Sequence, residues 1–320
     1  MKIVVTGSIA YDYIMTYPGE FKEMLLADNL DHISVSFLVD EMTRHRGGIG
    51  ANIAYTLALL GERPILLGTA GQDFGEYRAL LEKTGVDTSK TLICDDLFTA
   101  SFFVSTDRHN NQIASFYTGA MARARNLTLK ETVGGEADIV VVSPNDPVAM
   151  RNHVAECKSL RIPYLYDPSQ QVARVSGDEL AEGVDGAYIL IVNEYEYAAL
   201  CKKTGFTKDD IQSKAQNLIV TRGENGSDIY AQDRAYHIPI VPTDSIADPT
   251  GVGDAFRSGL LKGLAAGWRW DICGRAGALC ATYVLERRGT QSHSFTPREF
   301  VGRFRQHFDD GGCLDSMLTI

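Results

Sequence analysis

The sequence predicts an α/β protein in which three layers, α/β/α, form around a mostly parallel central sheet, with a small β-sheet lid attached. From about residue 138 onward, short β-branched runs alternate with helical patterns, and strands joined through helices pair in parallel with right-handed crossovers. The runs are continuously apolar, as in strands that helices cover on both faces. Segments nearer the N-terminus mix polar and aromatic residues without a long helix after them, and these segments predict the lid.

The sequence predicts six strands in the central sheet and three in the lid. Strands of the central sheet are expected at residues 3–6, 64–67, 138–142, 164–166, 188–192 and 218–221, and lid strands at 33–37, 101–106 and 112–117. Asn110 and Asn111 suit a hairpin turn between the last two lid strands. From Gly251 to the end the pattern is almost entirely helical. We therefore expect one α/β domain over residues 1–320, with a discontinuous lid from about 10–46 and 95–120.

Composition and charge narrow the functional class. The chain has 320 residues, 44% of them hydrophobic, and a formal net charge of −10, which disfavours non-specific binding to nucleic acid or anionic membranes. No apolar run is long enough for a transmembrane helix or a signal peptide. The six cysteines include no C-x-x-C pair, so they suggest reduced thiols rather than a zinc or redox motif. These features predict a cytoplasmic protein without a nucleic-acid or membrane partner.

The most specific motif spans residues 248–256 and reads D-P-T-G-V-G-D-A-F. Its glycines form a loop before a predicted helix, and a helix N-terminus leaves backbone N–H groups unpaired. Gly251, Val252 and Gly253 can therefore bind a phosphoryl group without a charged side chain. Asp254 beside that loop suits a base that removes a proton from an attacking hydroxyl. Taken alone, an acid in a first helical turn is as compatible with simple helix stabilisation.

A different mode of nucleotide binding is excluded by the sequence. The lysine-bearing phosphate loop G-x-x-x-x-G-K-[ST] does not occur, so Walker-type binding is not the mechanism.

Together with a second motif, the 248–256 loop resembles the PfkB, or ribokinase-like, family of carbohydrate and nucleoside kinases. The second signature of that family is D-T-x-G-A-G-D, from which this chain departs at Pro249 and Val252. The first signature is matched by G-G-I-G-A-N-I-A at residues 47–54. The matches come in the family's order, and the resemblance extends over essentially the whole chain. It implies a ribokinase-like fold and phosphoryl transfer from ATP to a hydroxyl group.

Two shorter motifs of the family match at the expected nucleotide end. The segment N-E-Y-E at 193–196 matches N-x-x-E, whose glutamate organises magnesium and phosphate largely through water, so the resemblance assigns Glu196 to Mg²⁺. The segment T-R-G-E-N-G at 221–226 matches T-x-G-x-x-G, which lines the nucleotide site. The residues that these matches place at ATP are Asn193, Thr221, Gly223 and Gly226. Without the resemblance, the first segment is an acidic helix start and the second an ordinary turn.

The acceptor end is predicted after the first strand, where the chain reads G-S-I-A-Y-D at residues 7–12. The second and third glycines of a dinucleotide fingerprint are missing. Asp12 is better interpreted as a ligand of a sugar diol, because a carboxylate accepts two hydroxyl hydrogen bonds. Sugar kinases of the family often carry Asn at the position of Ala10, and its absence weakens a ribokinase or fructokinase interpretation.

Four further segments, 34–40, 45–48, 113–117 and 167–171, look like those of the bacterial adenosine kinases of this family. The resemblance implies that Ser8, Asp12, Gly48 and Asn52 hold the ribose, that Phe102 and Phe116 enclose the purine, that Ser36, Gln170 and Gln171 add polar contacts, and that Arg174 lies nearer the phosphates. Independently, two aromatic rings in different lid strands suit stacking on a base, which a free sugar does not offer. Packing of the two rings on each other is the alternative.

The sequence thus predicts an adenosine kinase that converts adenosine and MgATP to AMP and ADP. Asp254 is the expected base and the Gly251–Gly253 backbone the expected anion hole. The alternatives are a sugar or broad-specificity nucleoside kinase of the same family and a non-catalytic nucleoside-binding sensor. The resemblance also implies a potassium site near Asp248 and Thr250, and the lid's exposed β edges and aromatic surface predict a homodimer through the lid.

Overall fold

The computed structural model describes residues 1–24 and 34–319. Its strands are β1 (Ile3–Thr6), β2 (Ala10–Thr16), β3 (Glu41–Gly47), β4 (Ile65–Leu67), β5 (Thr69–Gly71), β6 (Leu92–Cys94), β7 (Ala100–Thr106), β8 (Gln112–Tyr117), β9 (Ile139–Val142), β10 (Tyr164–Tyr166), β11 (Ile189–Asn193), β12 (Leu218–Thr221), β13 (Ser227–Ala231) and β14 (Arg234–Ile238).

The helices are α1 (Phe21–Met24), α2 (Ile49–Leu59), α3 (Gly75–Thr84), α4 (Leu129–Val133), α5 (Pro147–Leu160), α6 (Gly177–Val184), α7 (Glu194–Thr204), α8 (Lys208–Lys214), α9 (Val252–Ala265), α10 (Trp270–Leu285) and α11 (Pro297–His307). Short 3₁₀ turns cover Gly119–Asn126, Ser169–Ala173, Gly223–Asn225 and Cys313–Thr319. The predicted helical C-terminal third is confirmed.

The central sheet has eight strands in the order β14-β13-β12-β11-β10-β9-β1-β4. The strands from β12 to β4 are parallel, and β13 and β14 add an antiparallel hairpin at one edge. Every predicted strand of this sheet is present to within one residue at either end, whereas the antiparallel hairpin was not predicted. The predicted mostly parallel sheet is therefore confirmed.

Helices cover both faces of this sheet. Alternate residues of each strand point to opposite faces, so Val5 packs into a core with α2, α9, α10 and α11, while Val4 packs into a second core with α5, α7 and α8. Because both faces are buried, the strands are apolar throughout, as the sequence pattern indicated. The predicted three-layer arrangement is confirmed.

The order of strands places a crevice above β1 and β9. Strand β4 lies on one side of β1, and the later strands, beginning with β9, are added on the other side. Ligands of open α/β sheets bind beyond the carboxyl ends of the strands where the direction reverses. Ser8 follows β1 and Asn145 follows β9, so both lie at this crevice.

The lid is a four-stranded sheet in the order β3-β2-β7-β8. Strands β7 and β8 match the prediction, and Asn110 adopts a positive φ of 62° in the turn between them. The predicted strand at 33–37 is wrong, since residues 34–37 have no regular structure and Ile33 lies outside the described residues. The third and fourth strands are β2 and β3 instead, so Asp12 belongs to the lid rather than to the end of a central strand.

Among residues 1–24 and 34–319, no helix is both long and apolar enough to cross a membrane.

Candidate active site

A cavity of about 480 Å³ lies between the lid and the carboxyl ends of the central strands. Most of the residues that the sequence assigned to substrates line it: Ser8, Asp12, Gly48, Asn52, Phe102, Phe116, Gln170, Gln171, Arg174, Asn193, Glu196, Thr221, Gly251, Gly253 and Asp254. They come from the lid, from α2, α7 and α9 with the residues that precede them, from the loops after β1 and β10, and from the end of β12. The fold therefore gathers residues that are far apart in the sequence around one space.

A second, mostly apolar cavity of about 410 Å³ adjoins the first. The two cavities share Thr221 and Gly253. Three residues that the sequence assigned to the site line only this second cavity: Val252, Gly223 and Gly226. Its other lining side chains include Ile240, Ile246 and Leu285. Such an apolar lining suits the flat face of a nucleobase.

Ser36 lies apart from the other predicted residues. It is exposed, in a stretch without regular structure, and it lines neither cavity. Its contact with a substrate stays a prediction.

The loop between Asp248 and Gly253 leads directly into helix α9. Gly251 caps this helix with φ of 80°, a left-handed conformation that glycine adopts without strain. No side chain in the part of the chain described by the structure accepts a hydrogen bond from the first turn of α9, so those N–H groups can bind an anion. Asp248 fixes the loop by accepting hydrogen bonds from the amides of Thr250 (2.9 Å) and Gly289 (3.1 Å).

Asp254 lies in the first turn of α9 and is buried, with 8% of its surface exposed. Its Oδ2 atom accepts a hydrogen bond from Asn52 Nδ2 at 2.8 Å. Burial raises the pKa of Asp254 to about 6, although the charge of Arg257 and the Asn52 hydrogen bond act in the opposite direction. A carboxylate with that pKa is ionised at neutral pH and remains a stronger base than an exposed aspartate.

Asn52 connects this base to the rest of the site. Its Oδ1 lies 2.8 Å from Thr290 Oγ1 and accepts a hydrogen bond from Gln291 Nε2 at 2.9 Å. Because both neighbours surround the amide oxygen, the Nδ2 group is the end that faces Asp254. The sequence assigned Asn52 to the ribose, and the structure gives it this additional partner.

Glu196 and Asn193 form a reciprocal cap at the start of α7. The Asn193 amide donates to Glu196 Oε2, and the Glu196 amide donates to Asn193 Oδ1, each at 2.8 Å. The carboxylate still lines the cavity, so it can serve both the helix and a cation. Nowhere in residues 1–24 and 34–319 do three acidic, His or Cys side chains form a metal site. A magnesium ion that takes most of its ligands from phosphate and water fits this arrangement.

One row of residues crosses the lid face that borders the cavity. Strand register places Asp12 opposite His45 on one side and Phe102 on the other, with Phe116 opposite Phe102. Neighbouring strands are about 4.8 Å apart. The Asp12 carboxylate, which the sequence assigned to the ribose, therefore stands one strand away from the first aromatic ring and two strands away from the second. Burial raises the pKa of Asp12 to about 6, with the charge of His45 opposing the shift.

Sequence reasoning missed several residues that line the cavity: Met121, Asn145, Arg257 and Thr290. Arg257 donates a hydrogen bond from Nη2 to Asp167 Oδ1 at 2.6 Å. Its spacing of three residues from Asp254 puts both on one helical face, which is a signal that the sequence does contain. Thr290 and Asn145 follow no motif, so only the folded chain brings them to the site.

Known proteins resemble this chain throughout its length. The family model described as pfkB family carbohydrate kinase matches residues 1–297. The chain belongs to the pfkB family of carbohydrate kinases. A nucleoside kinase of Methanothermobacter thermautotrophicus is 30% identical over 305 residues, which cover 94% of this chain and 95% of the relative.

Two solved structures superpose on this fold. The nucleoside kinase of Burkholderia thailandensis, in complex with inosine, has a TM-score of 0.84 and 36% identity, covering 96% of this chain and 98% of its own. The nucleoside kinase of Methanocaldococcus jannaschii, described as an archaeal member of the ribokinase family, has a TM-score of 0.85 and 28% identity, with 96% and 98% coverage. The predicted family and the ribokinase-like fold are thus confirmed.

Proposed function

We propose that this chain phosphorylates the 5′-hydroxyl of a nucleoside with ATP, and that adenosine is its preferred acceptor. One observation carries the proposal: the lid row of Asp12, Phe102 and Phe116 borders the same cavity as Asp254 and the N-terminus of α9. A carboxylate suited to binding a ribose and two rings suited to stacking on a base thus line the same cavity as a loop suited to phosphoryl transfer.

The geometry supports a nucleoside rather than a free sugar. In a nucleoside the base is attached directly to the ribose, which matches a carboxylate and an aromatic ring on adjacent strands. Phe102 and Phe116 stand on one lid face, and stacking of a base on aromatic rings contributes roughly 1–3 kcal/mol. The similarity to nucleoside kinases, one of them in complex with inosine, supports the same class.

The reaction follows from the placement of Asp254. The ribose 5′-oxygen attacks the γ-phosphorus of ATP, so an O–P bond forms while the bond between the γ-phosphorus and the β,γ-bridging oxygen breaks. Asp254 takes the hydroxyl proton, and ADP leaves with the bridging oxygen. The backbone N–H groups at residues 251–253 hold the phosphoryl oxygens and stabilise their charge. Water is a competing nucleophile, so a lid over the cavity favours transfer to the nucleoside.

Magnesium and potassium belong to this proposal as well. Glu196 would hold Mg²⁺ largely through water, and the ion would neutralise charge on the ATP phosphates. A potassium ion near Asp248 and Thr250 remains an expectation from the family resemblance. The adjoining apolar cavity suits the adenine of ATP.

A substrate panel tests the proposal. At saturating MgATP, kcat/KM for adenosine should exceed the values for inosine, cytidine, ribose and fructose. 5′-Deoxyadenosine, which lacks the acceptor hydroxyl, should bind competitively without turnover. A higher kcat/KM for ribose or fructose would favour a sugar kinase, and a flat profile across nucleosides would favour a broad-specificity nucleoside kinase. Adenosine binding without ATP consumption would indicate a sensor.

A further inference from the structure

We propose that Arg257 is a further residue of the phosphoryl-transfer site, where its guanidinium supplies the fixed positive charge behind the anion-binding loop. This inference rests on the proposed function. The chain has no phosphate-loop lysine, so a positively charged side chain at the phosphates would have to be another residue. Arg257 is buried against the loop and lines the main cavity.

The position of the guanidinium is fixed from two sides. On one side Nη2 donates to Asp167 Oδ1 at 2.6 Å. On the other, Nη1 lies 2.8 Å from the point where a side chain at Gly253 would begin. Glycine at 253 therefore leaves room for Arg257 directly behind the backbone that faces the phosphoryl group. A short, buried ion pair to Asp167 keeps this long side chain from adopting other rotamers.

The ion pair leaves hydrogen-bonding capacity unused. Within residues 1–24 and 34–319, Arg257 Nε and Asp167 Oδ2 are both buried without a partner. A purely structural pair would be expected to use both ends of the guanidinium, because a buried N–H without a partner costs free energy. The nitrogen beside the anion loop is Nη1, which takes part in no hydrogen bond within the described residues, and it is the donor that we assign to an oxygen of the transferring phosphoryl group.

Arg257 also balances the acids that surround Asp254. Asp254 shares its helix α9 with Arg257, while Glu196 faces it from α7 and Asp167 from the loop after β10. The only hydrogen bond to the Asp254 side chain from another element comes from the uncharged Asn52, within the described residues. Arg257 thus places a positive charge beside three carboxylates, and its loss would favour protonation of Asp254.

The test compares Arg257→Met with Lys262→Met. Lys262 is a matched control, because it lies on the same helix, is equally buried and forms an ion pair with Glu62 Oε1 at 2.7 Å, but lines neither cavity. Arg257→Met should lower kcat by about 100-fold and weaken binding of the magnesium complex of AMP-PNP, measured by calorimetry, by about 10-fold. Adenosine affinity should change by less than about threefold, and the acid limb of the pH–kcat profile should move to higher pH.

Arg257→Lys covers the case in which the methionine variant does not fold. It keeps the charge, so the acid limb should stay at its wild-type pH while kcat falls by about 10-fold through loss of the planar fork. Lys262→Met should keep kcat, AMP-PNP affinity and the pH profile within about threefold of wild type, whatever its thermal stability.

Three results would overturn the inference. One is an Arg257→Met enzyme with unchanged kcat and acid limb. Another is a loss of kcat and AMP-PNP affinity in Lys262→Met as large as the loss in Arg257→Met. The third is a loss of adenosine affinity in Arg257→Met as large as the loss of AMP-PNP affinity. If the wild type phosphorylates no nucleoside, the proposed function fails, while the AMP-PNP comparison still decides the role of Arg257.

Discussion

At the scale of single residues, the site depends on a buried acid that stays ionised at neutral pH. Asp254 is removed from water, yet Asn52 donates to it and Arg257 lies on the same helical face. Burial makes the carboxylate more basic, and the two polar neighbours oppose this rise in its pKa. This balance is what a general base needs.

Replacement of Asp254 by Asn should separate catalysis from binding. We expect kcat to fall by about two to four powers of ten, while the calorimetric affinity for adenosine changes little, because Asn keeps the shape of the site. Asp271→Asn is the control. Asp271 is also a first-turn acid, on α10, but it pairs with Arg269 at the surface. Near-normal turnover in Asp254→Asn would refute the assignment of Asp254 as the base. An equal loss of kcat in Asp271→Asn would mean that Asp254 only stabilises its helix.

The pH dependence of kcat/KM for adenosine should reveal two carboxylates. Burial raises the pKa of both Asp254 and Asp12 to about 6, and the proposed mechanism requires both carboxylates in ionised form. Activity should therefore be lost as pH falls through about 6, with a slope of log kcat/KM that approaches about 2 in the wild type. Asp12→Asn should leave a limb with a slope of about 1. An acid limb that disappears in Asp12→Asn would show that Asp254 does not titrate there.

How far the sequence predicted the site depends on whether residues belong to a motif. The 248–256 loop and N-x-x-E segment carry their chemistry in adjacent residues, so most of their members could be placed beforehand. Thr290 and Asn145 reach the cavity only through tertiary packing, and no local pattern marks them. The bond between Asn52 and Asp254 joins two separate motifs, so spacing within either motif could not predict it.

At the scale of elements, the strands of the lid were harder to predict than those of the central sheet. Buried parallel strands are continuously apolar and easily recognised. In contrast, β3 reads E-M-T-R-H-R-G and is mostly exposed, so its pairing with β2 gives no hydrophobic pattern. The apolar residues near 33–37 gave a misleading signal, since Phe37 instead packs against the rings of Tyr17 and Phe21.

The aromatic lid residues should control acceptor binding. We expect Phe102→Ala and Phe116→Ala each to raise KM for adenosine by about one to two powers of ten, from the roughly 1–3 kcal/mol of a base–aromatic stack. Phe103→Ala is the matched control, because its ring lies on the opposite lid face and stacks on Tyr13 with centroids 4.7 Å apart. Steady-state kinetics with varied adenosine measures the effect. Equal KM values in all three variants would contradict stacking in the lid.

Close packing of α9 on α10 should make one glycine sensitive to substitution. A methyl group at Gly259 would lie 2.4 Å from the carbonyl oxygen of Ala276, so Gly259→Ala should lower the free energy of unfolding by about 1–3 kcal/mol. Gly302 lies in α11 with nothing within 4 Å of such a methyl group. Gly302→Ala should therefore raise stability by about 0.5–1 kcal/mol. Denaturant unfolding measures both, and destabilisation by both would contradict the packing argument.

At the scale of the whole molecule, the body and the lid line different sides of one cavity. The body supplies the anion loop, Asp254 and the strand ends, while the lid supplies Asp12 and the aromatic rings. A cavity between the two sheets can bind an acceptor only if both halves are in place. Substrate binding and catalysis are therefore expected to depend on the position of the lid.

Homodimerisation through the lid stays a prediction. The lid face away from the cavity carries Phe103, Ile113 and Tyr117, each about two-fifths exposed, and exposed apolar side chains on a sheet with free edges favour pairing with a second copy. Light scattering should give twice the mass of one chain. Ile113→Lys should reduce it to the mass of a monomer. A monomeric wild-type protein at micromolar concentration would contradict the prediction.

Phosphoryl transfer to the 5′-hydroxyl can be tested directly by identifying the phosphorylated product with ³¹P NMR. Adenosine and MgATP are incubated with the wild-type protein and with Asp254→Asn. We expect the wild type to convert them to equal amounts of ADP and adenosine 5′-monophosphate, and the variant to form neither on the same timescale. Release of inorganic phosphate without a nucleotide product, or undiminished product formation by Asp254→Asn, would contradict it.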